Sequence, residues 1–74
     1  MVRAKFRCTE KSEPSSEGDV SNIQLAPIAD GSQENIDFFK WTPSGVIQIG
    51  TINKAAAAQF EVGKDYYVDF TLAP

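Results

Sequence analysis

The sequence has almost none of the residues that small domains use for cross-links and metal sites. It contains one cysteine, Cys8, and no histidine among its 74 residues. A single cysteine excludes an internal disulfide, and a zinc site would depend on carboxylates almost alone, unlike the usual sulfur and nitrogen ligation. We therefore expect no metal and no cofactor, and self-association is the remaining way to stabilise a core this small.

The chain also has no long apolar run. Residues 1–8 alternate charged and apolar side chains, which is not the pattern of a signal peptide or a membrane span. A lone thiol is typical of a reducing compartment. The sequence therefore predicts one small β-rich domain, residues 1–74, in the cytosol and without a membrane partner.

Positive charge is scarce and unevenly placed. Ten acidic residues against seven basic ones give a formal charge of −3, which disfavours broad adhesion to a nucleic acid. Four of the basic residues nevertheless fall within the first eleven positions. This distribution is compatible with a local anion site and disfavours an extended electrostatic track.

The apolar spacing predicts a mainly β fold. Residues 2–9 alternate strictly, and further strands are expected at 20–28, 46–52 and 66–72. The strand at 46–52 is apolar on both faces apart from Gln48, so it should be central or meet a partner through its second face. Asn53 is a suitable N-cap for a short helix at 54–60, and Gly63 fits a left-handed position after it. We expect a small antiparallel barrel or curled sheet of four or five strands with one short helix; the alternative is an α+β meander.

No residue pattern indicates catalysis. The sequence has no histidine, no nucleophile with a plausible base, no phosphate-loop glycine pattern and no metal-ligand spacing. Asp65 and Asp69 could form an acid and base pair, but acids on an exposed strand are far more often solvated or paired with cations. The sequence predicts a binding protein that is not an enzyme.

Aromatic residues are concentrated in the segment 35–45. Phe38, Phe39 and Trp41 fall within four positions, with the cation Lys40 between the last two. Such rings can stack on nucleobases while a lysine meets a phosphate, or they can attach the segment to the core. In an extended segment Phe39 and Trp41 would share a face, so core packing is favoured for that pair, while Phe38 fits either role.

A second candidate surface comes from the first and last strands. Arg3, Lys5 and Arg7 share one face of the first strand, where arginine could bind phosphate through two parallel hydrogen bonds. The alternative is a solvated face paired with Asp69 across the sheet. Tyr67 is expected on the outer face of the last strand, where an aromatic ring suits a contact surface. The predicted ligand-binding residues, which include two hydroxyl donors beside the aromatic segment, are Arg3, Lys5, Arg7, Phe38, Phe39, Lys40, Trp41, Thr42, Ser44 and Tyr67.

Three segments resemble a known family when they are taken as a set. They are Val-Arg-Ala-Lys-Phe-Arg-Cys at 2–8, Glu-Asn at 34–35 with Phe-Phe-Lys-Trp-Thr-Pro-Ser-Gly at 38–45, and Phe60 with Gly-Lys-Asp-Tyr-Tyr-Val-Asp-Phe at 63–70. Over nearly the whole chain they resemble a widespread family of small tailed-bacteriophage proteins.

The resemblance implies an activity as well as an origin. It implies an anti-CBASS sponge, which works in immune evasion by sequestering the cyclic nucleotide signals of bacterial immunity in the cytoplasm of the infected host. Such a protein would be a homo-oligomer, a tetramer, holding cyclic GMP–AMP without cleaving it. The alternatives are a single-stranded nucleic-acid-binding protein, which the net charge disfavours, and a protein-binding inhibitor of a host defence enzyme.

Overall fold

A computed structural model describes residues 2–12, 19–28, 33–40 and 44–74. In chain order the elements are β1 (Val2–Ser12), β2 (Ser21–Pro27), α1 (Gln33–Phe39), β3 (Ile47–Thr51), α2 (Lys54–Ala57) and β4 (Asp65–Phe70). The four strands form one antiparallel sheet in the order β3-β2-β1-β4. This curled sheet confirms the predicted mainly β class, and it carries two short helices where one is expected from the sequence.

The core lies on one face of the sheet and follows the alternation of β1. Ala4, Phe6 and Cys8 are buried, as are Ile23 and Leu25 of β2. Alternate strand residues point to the same face, so these side chains meet across the β1–β2 pairing. Buried Ala57 of α2 completes this core, and the partly buried residues packed against it are Phe39, Ile47, Phe60, Tyr66 and Val68.

Strand β3 lies at an edge of the sheet. It pairs with β2, with Ile49 opposite Ile23, while β1 takes the position on the other side of β2. The expectation of a central strand is therefore wrong. Apolar residues on both faces made a central position plausible, but an edge strand has the same pattern when its second face is left exposed. Ile49 lies on the core face, opposite buried Ile23, and even there it retains 36% of its accessible surface.

Part of the segment predicted to be extended is the helix α1. The Gln33 side chain donates to Asp37 Oδ1 one turn later at 2.9 Å, and Lys40 N–H donates to Ile36 O at 2.9 Å. Lys40 then adopts a positive φ of 67°, a left-handed conformation common at helix ends. Aromatic residues favour strands by propensity, and here the contacts of Asn35 with β1 and of Phe39 with the core outweigh that preference.

Asn35 joins α1 to β1 at the point where β2 ends. Its Oδ1 accepts from the backbone N–H of Lys5 at 2.6 Å, and its Nδ2 donates to the carbonyls of Lys5 at 2.8 Å and Ile28 at 2.9 Å. The side-chain amide thus replaces a strand residue beside β1. Asn35 is 3% exposed, and within the described ranges every buried side-chain nitrogen and oxygen has a partner.

The segment between β3 and β4 largely follows its prediction. Asn53 caps α2, with its side chain accepting from Ala56 N–H, and Gly63 has a φ of 91°. The helix ends at Ala57 rather than at residue 60. The Gly63 N–H donates to Cys8 O at 2.8 Å, so this turn continues the β1–β4 pairing.

The last strand buries less than its alternation suggests. Tyr66 and Val68 are half-buried, whereas Phe70 is 49% exposed and Leu72 is 98% exposed. Phe70 pairs with Val2 at the end of the sheet, where the ring of Phe38 on α1 packs against it at a centroid distance of 6.1 Å and covers it only in part. Leu72 lies beyond the strand.

Candidate ligand-binding surface

The pairing of β1 with β4 places the predicted cations beside an aromatic ring. In register, Arg3 lies opposite Asp69, Lys5 opposite Tyr67 and Arg7 opposite Asp65. Since facing residues of an antiparallel pair point to the same side, all six share the face away from the core. We refer to this surface as the β1–β4 face, which consists of Arg3, Lys5, Arg7, Asp65, Tyr67 and Asp69.

Two ion pairs flank Tyr67 on this face. Arg3 donates to Asp69 through Nε at 2.6 Å and through Nη2 at 3.0 Å. Arg7 donates to Asp65 through Nε at 2.8 Å and more weakly through Nη2 at 3.4 Å. The bond from Arg3 and its charge lower the pKa of Asp69, and those from Arg7 do the same for Asp65. The predicted alternative for Asp69, a cross-strand partner of the basic strand, is what the structure contains.

The ring of Tyr67 lies under two cations. The guanidinium carbon of Arg3 is 4.7 Å from the ring centroid, and Lys5 Nζ is 5.2 Å from it. Both distances fall within the range of cation–π attraction. Tyr67 nevertheless remains 54% exposed, so the face combines an accessible ring with positive charge.

Arg3 also lines a small open pocket at the end of the sheet. The pocket has a volume of about 290 Å³ and is formed by Val2, Arg3, Glu34, Asp37 and Phe38. We call it the Phe38 pocket. Phe38 is 43% exposed, and its ring packs against Phe39 at a centroid distance of 4.8 Å and against Phe70 at 6.1 Å. Arg3 therefore contributes to two surfaces, each with an exposed aromatic ring.

The charge of the Phe38 pocket opposes a simple phosphate site. Glu34 and Asp37 line it together with Arg3. The hydrogen bond to Asp69 and the charge of Asp69 raise the pKa of Arg3, and the charge of Glu34 adds a smaller effect in the same direction. An anion at this pocket would meet two carboxylates as well as the guanidinium, whereas a flat uncharged ring would avoid that repulsion.

The remaining predicted residues are distributed differently. Phe39 is half-buried and packs against the core. Lys40 and Ser44 are exposed. Within the described residues, neither side chain forms an ion pair or a ring contact with the β1–β4 face. Trp41 and Thr42 lie outside the described residues. The structure thus brings together Arg3, Lys5, Arg7 and Tyr67, with Phe38 at one end.

Sequence reasoning missed a larger groove at the opposite end of β1. Its volume is about 800 Å³, within the range of small-molecule sites. Amides and hydroxyls line much of it, and Gln48 Nε2 donates to Gln24 Oε1 at 3.3 Å. The alternating polar positions of β2 were the available signal. We call this the amide-lined groove, which is formed by Thr9, Glu10, Lys11, Ser12, Asn22, Ile23, Gln24, Gln48, Ile49, Gly50 and Val62.

Other kinds of site have little support in the part of the chain that the structure describes. No three acidic, cysteine or histidine residues there are grouped so that they could hold a metal ion. Cys8 is buried. Across the described ranges, no helix has the length and apolar character needed to cross a membrane. Comparison of the chain with protein-family models, with curated proteins and with solved structures finds no match.

Proposed function

We propose that this chain binds a cyclic dinucleotide such as cyclic GMP–AMP and sequesters it without cleavage. The observation that supports this proposal is the position of Arg3 between two exposed aromatic rings. Arg3 lies over Tyr67 on one side and lines the Phe38 pocket on the other. A cyclic dinucleotide carries two flat bases on a ring of two riboses and two phosphates, so its binding site needs aromatic faces and cations close together.

The phosphates would bind at Lys5 and Arg3. Asp69 accepts hydrogen bonds from Nε and Nη2 of Arg3, which leaves donors on the other guanidinium nitrogen for a phosphate oxygen. Lys5 Nζ, above Tyr67, has no carboxylate within ion-pair distance among the described residues. One base would stack on Tyr67 and the other would enter the Phe38 pocket, where an uncharged ring avoids the carboxylates.

A compact ligand fits the β1–β4 face better than a long polyanion does. The three cations of β1 face two carboxylates of β4, so charge alternates along the surface. A nucleic-acid strand binds through a continuous positive track. The alternation therefore favours a ligand that contacts only Arg3, Lys5 and Tyr67.

Sequestration requires no chemical step from the protein. A binder present in excess over its ligand lowers the free ligand concentration by mass action. In the cytoplasm of a phage-infected bacterium, the captured signal would no longer reach the effector of an immune system. The role is consistent with a surface that offers contacts and charge rather than a nucleophile or a general base.

Calorimetry with cyclic GMP–AMP tests the proposal. We expect heat of binding for the wild type and recovery of intact ligand by chromatography. Tyr67→Ala should weaken binding roughly tenfold or more, since a stacked base contributes ~1 to 3 kcal/mol and tenfold corresponds to about 1.4 kcal/mol. Lys5→Ala should weaken it by a similar factor, since a hydrogen bond between charged groups contributes ~1.5 to 3 kcal/mol. Lys54→Ala is the matched control, because Lys54 is an exposed lysine on α2. Circular dichroism would establish that all variants are folded.

Three results would redirect the assignment. The absence of heat with every cyclic dinucleotide would reject the proposed ligand class. Oligonucleotide binding with steep salt dependence would instead favour a single-stranded nucleic-acid-binding protein. Recovery of one host enzyme in a pull-down, with no nucleotide required, would favour a protein-binding inhibitor.

A further inference from the structure

Strand β3 is an uncharged edge strand. Its sequence, Ile-Gln-Ile-Gly-Thr, has no ionisable side chain. Ile49 is 36% exposed, and the flanking Val46 and Ile52 are 54% and 65% exposed. The edge of the sheet therefore presents apolar side chains with no charge to keep other chains away.

Among the described residues, the outer backbone of β3 has no ladder partner. Its ladder partner is β2 alone, and no further backbone hydrogen bond reaches residues 47–51 from the described segments. Soluble proteins commonly protect such an edge with charge, proline or a bulge. The opposite edge, β4, follows this rule with Asp65 and Asp69, whereas β3 does not.

The chain exposes more surface than a compact monomer of its mass. Its accessible area is 5405 Å², against about 4500 Å² for a compact 8.1 kDa protein. The radius of gyration, 13.7 Å, likewise exceeds the roughly 11 Å expected for a compact chain of this length.

We propose that β3 pairs with β3 of a second copy, antiparallel, about a twofold axis at Ile49. The two four-stranded sheets would then form one continuous sheet. Ile49 would face the partner's Ile49, and Gln48 would face the partner's Gly50. A second copy is the occupant because a twofold interface places a surface against itself, and only an uncharged strand does so without like-charge repulsion.

The same pairing would complete the amide-lined groove. Gln48, Ile49 and Gly50 line that groove from β3, and they are the residues at the centre of the proposed interface. The second copy would therefore lie along the β3 side of the groove and bring its own groove next to it. This interface does not depend on the ligand proposed for the β1–β4 face.

Replacement of Ile49 by residues of opposite charge tests the interface. Sedimentation equilibrium of the wild type should give an even multiple of the chain mass. Ile49→Lys and Ile49→Glu should each halve that mass, because like charges would meet at the twofold axis. An equimolar mixture of the two variants should restore the wild-type mass, since lysine then faces glutamate. Ile36→Lys is the matched control, because Ile36 is a 56% exposed isoleucine on α1, and it should retain the wild-type mass.

The equimolar mixture distinguishes variants that have lost only the interface from variants that no longer fold. Two misfolded variants would not recover association when combined. A wild type with the mass of one chain at all concentrations would overturn the proposal. So would variants that keep the wild-type mass, or a mixture that stays dissociated.

Discussion

Asn35 is a polar side chain inside a very small core. Its amide forms three hydrogen bonds to backbone groups, two on Lys5 and one on Ile28. β2 pairs with β1 as far as Pro27, and the Ile28 N–H donates to Lys5 O at 3.2 Å just beyond it. Asn35 extends the pairing with a side chain in place of a strand.

Asn35→Ala should lower the free energy of unfolding by about 1 to 3 kcal/mol, because the Lys5 N–H would lose its buried partner. Asn35→Asp should be similarly destabilising, since a carboxylate has no donor for the two carbonyls. Urea unfolding followed by circular dichroism measures both changes. Gln33→Ala, on the exposed side of α1, is the control and should change stability by less than about 0.5 kcal/mol. Equal losses for Gln33→Ala and Asn35→Ala would contradict the role given to Asn35.

The carboxylates of the β1–β4 face make the free energy of unfolding depend on pH in the acid range. Their pKa values are lowered by hydrogen bonds and charge from Arg7 and Arg3. A lowered pKa in the folded state means that the stabilisation is complete above the unfolded pKa, near 3.9. It is lost as the pH falls through the lower folded pKa.

The double variant Asp65→Asn with Asp69→Asn should therefore show less acid sensitivity than the wild type. The difference in Tm between the two proteins should be constant above about pH 5 and shrink below about pH 4. Thermal melts between pH 2 and pH 7 measure it, and carboxyl NMR titration assigns the groups. A Tm difference that stays constant down to pH 2 would contradict the ion pairs.

At the scale of elements, the short helix α2 depends on its cap. Four residues, Lys54–Ala57, form it, and a helix of that length is not stable by itself. It is held by Asn53, whose side chain accepts from Ala56 N–H at 3.1 Å, and by Ala57, which is buried against the core.

Asn53→Ala should lower the free energy of unfolding by about 1 kcal/mol, the usual effect of removing an N-cap acceptor. Asn53→Asp keeps an oxygen at the same place and serves as the control, with stability close to that of the wild type. Chemical denaturation of the three proteins gives the comparison. If Asn53→Asp is as destabilising as Asn53→Ala, the side-chain acceptor is not what matters.

At the scale of the whole molecule, the sheet has a protected centre and two open edges. β1 and β2 each have two neighbours and contribute most of the buried residues, whereas β3 and β4 are the outer strands. Amide hydrogen exchange should therefore be slowest in β1 and β2. Raising the protein concentration should slow exchange in β3 and leave β4 unchanged, because only β3 is proposed to pair with a second copy. Concentration dependence in β4 alone would place the interface on the other edge.

Much of the fold follows from the sequence because it depends on local patterns. The alternation at residues 2–9 identifies the core face of β1, and Asn53 with Gly63 identifies the cap and the turn around α2. The helix α1 does not follow in this way, because Phe38 and Phe39 favour a strand by propensity. Its stabilising partner, the Lys5 backbone, lies about thirty residues away in the chain.

Part of the candidate site likewise follows from patterns within one strand, and part depends on how the strands pair. That Arg3, Lys5 and Arg7 share a face follows from the period of β1, and Tyr67 is assigned to an outer face by the period of β4. The register between the two strands depends on the tertiary structure, because only the pairing of β1 with β4 sets Lys5 opposite Tyr67 and each arginine opposite an aspartate. The amide-lined groove needs three strands to be adjacent, so no single segment contains it.

The sequence by itself determined the β class, the inward faces of the central strands and the absence of a disulfide, because these depend on residue type and on spacing within one segment. The tertiary structure alone decided that β3 is an edge, that Asn35 completes the β1 ladder, and that Arg3 lies between two exposed rings. Those features arise from contacts between residues far apart in the chain, which the pattern within a segment does not specify.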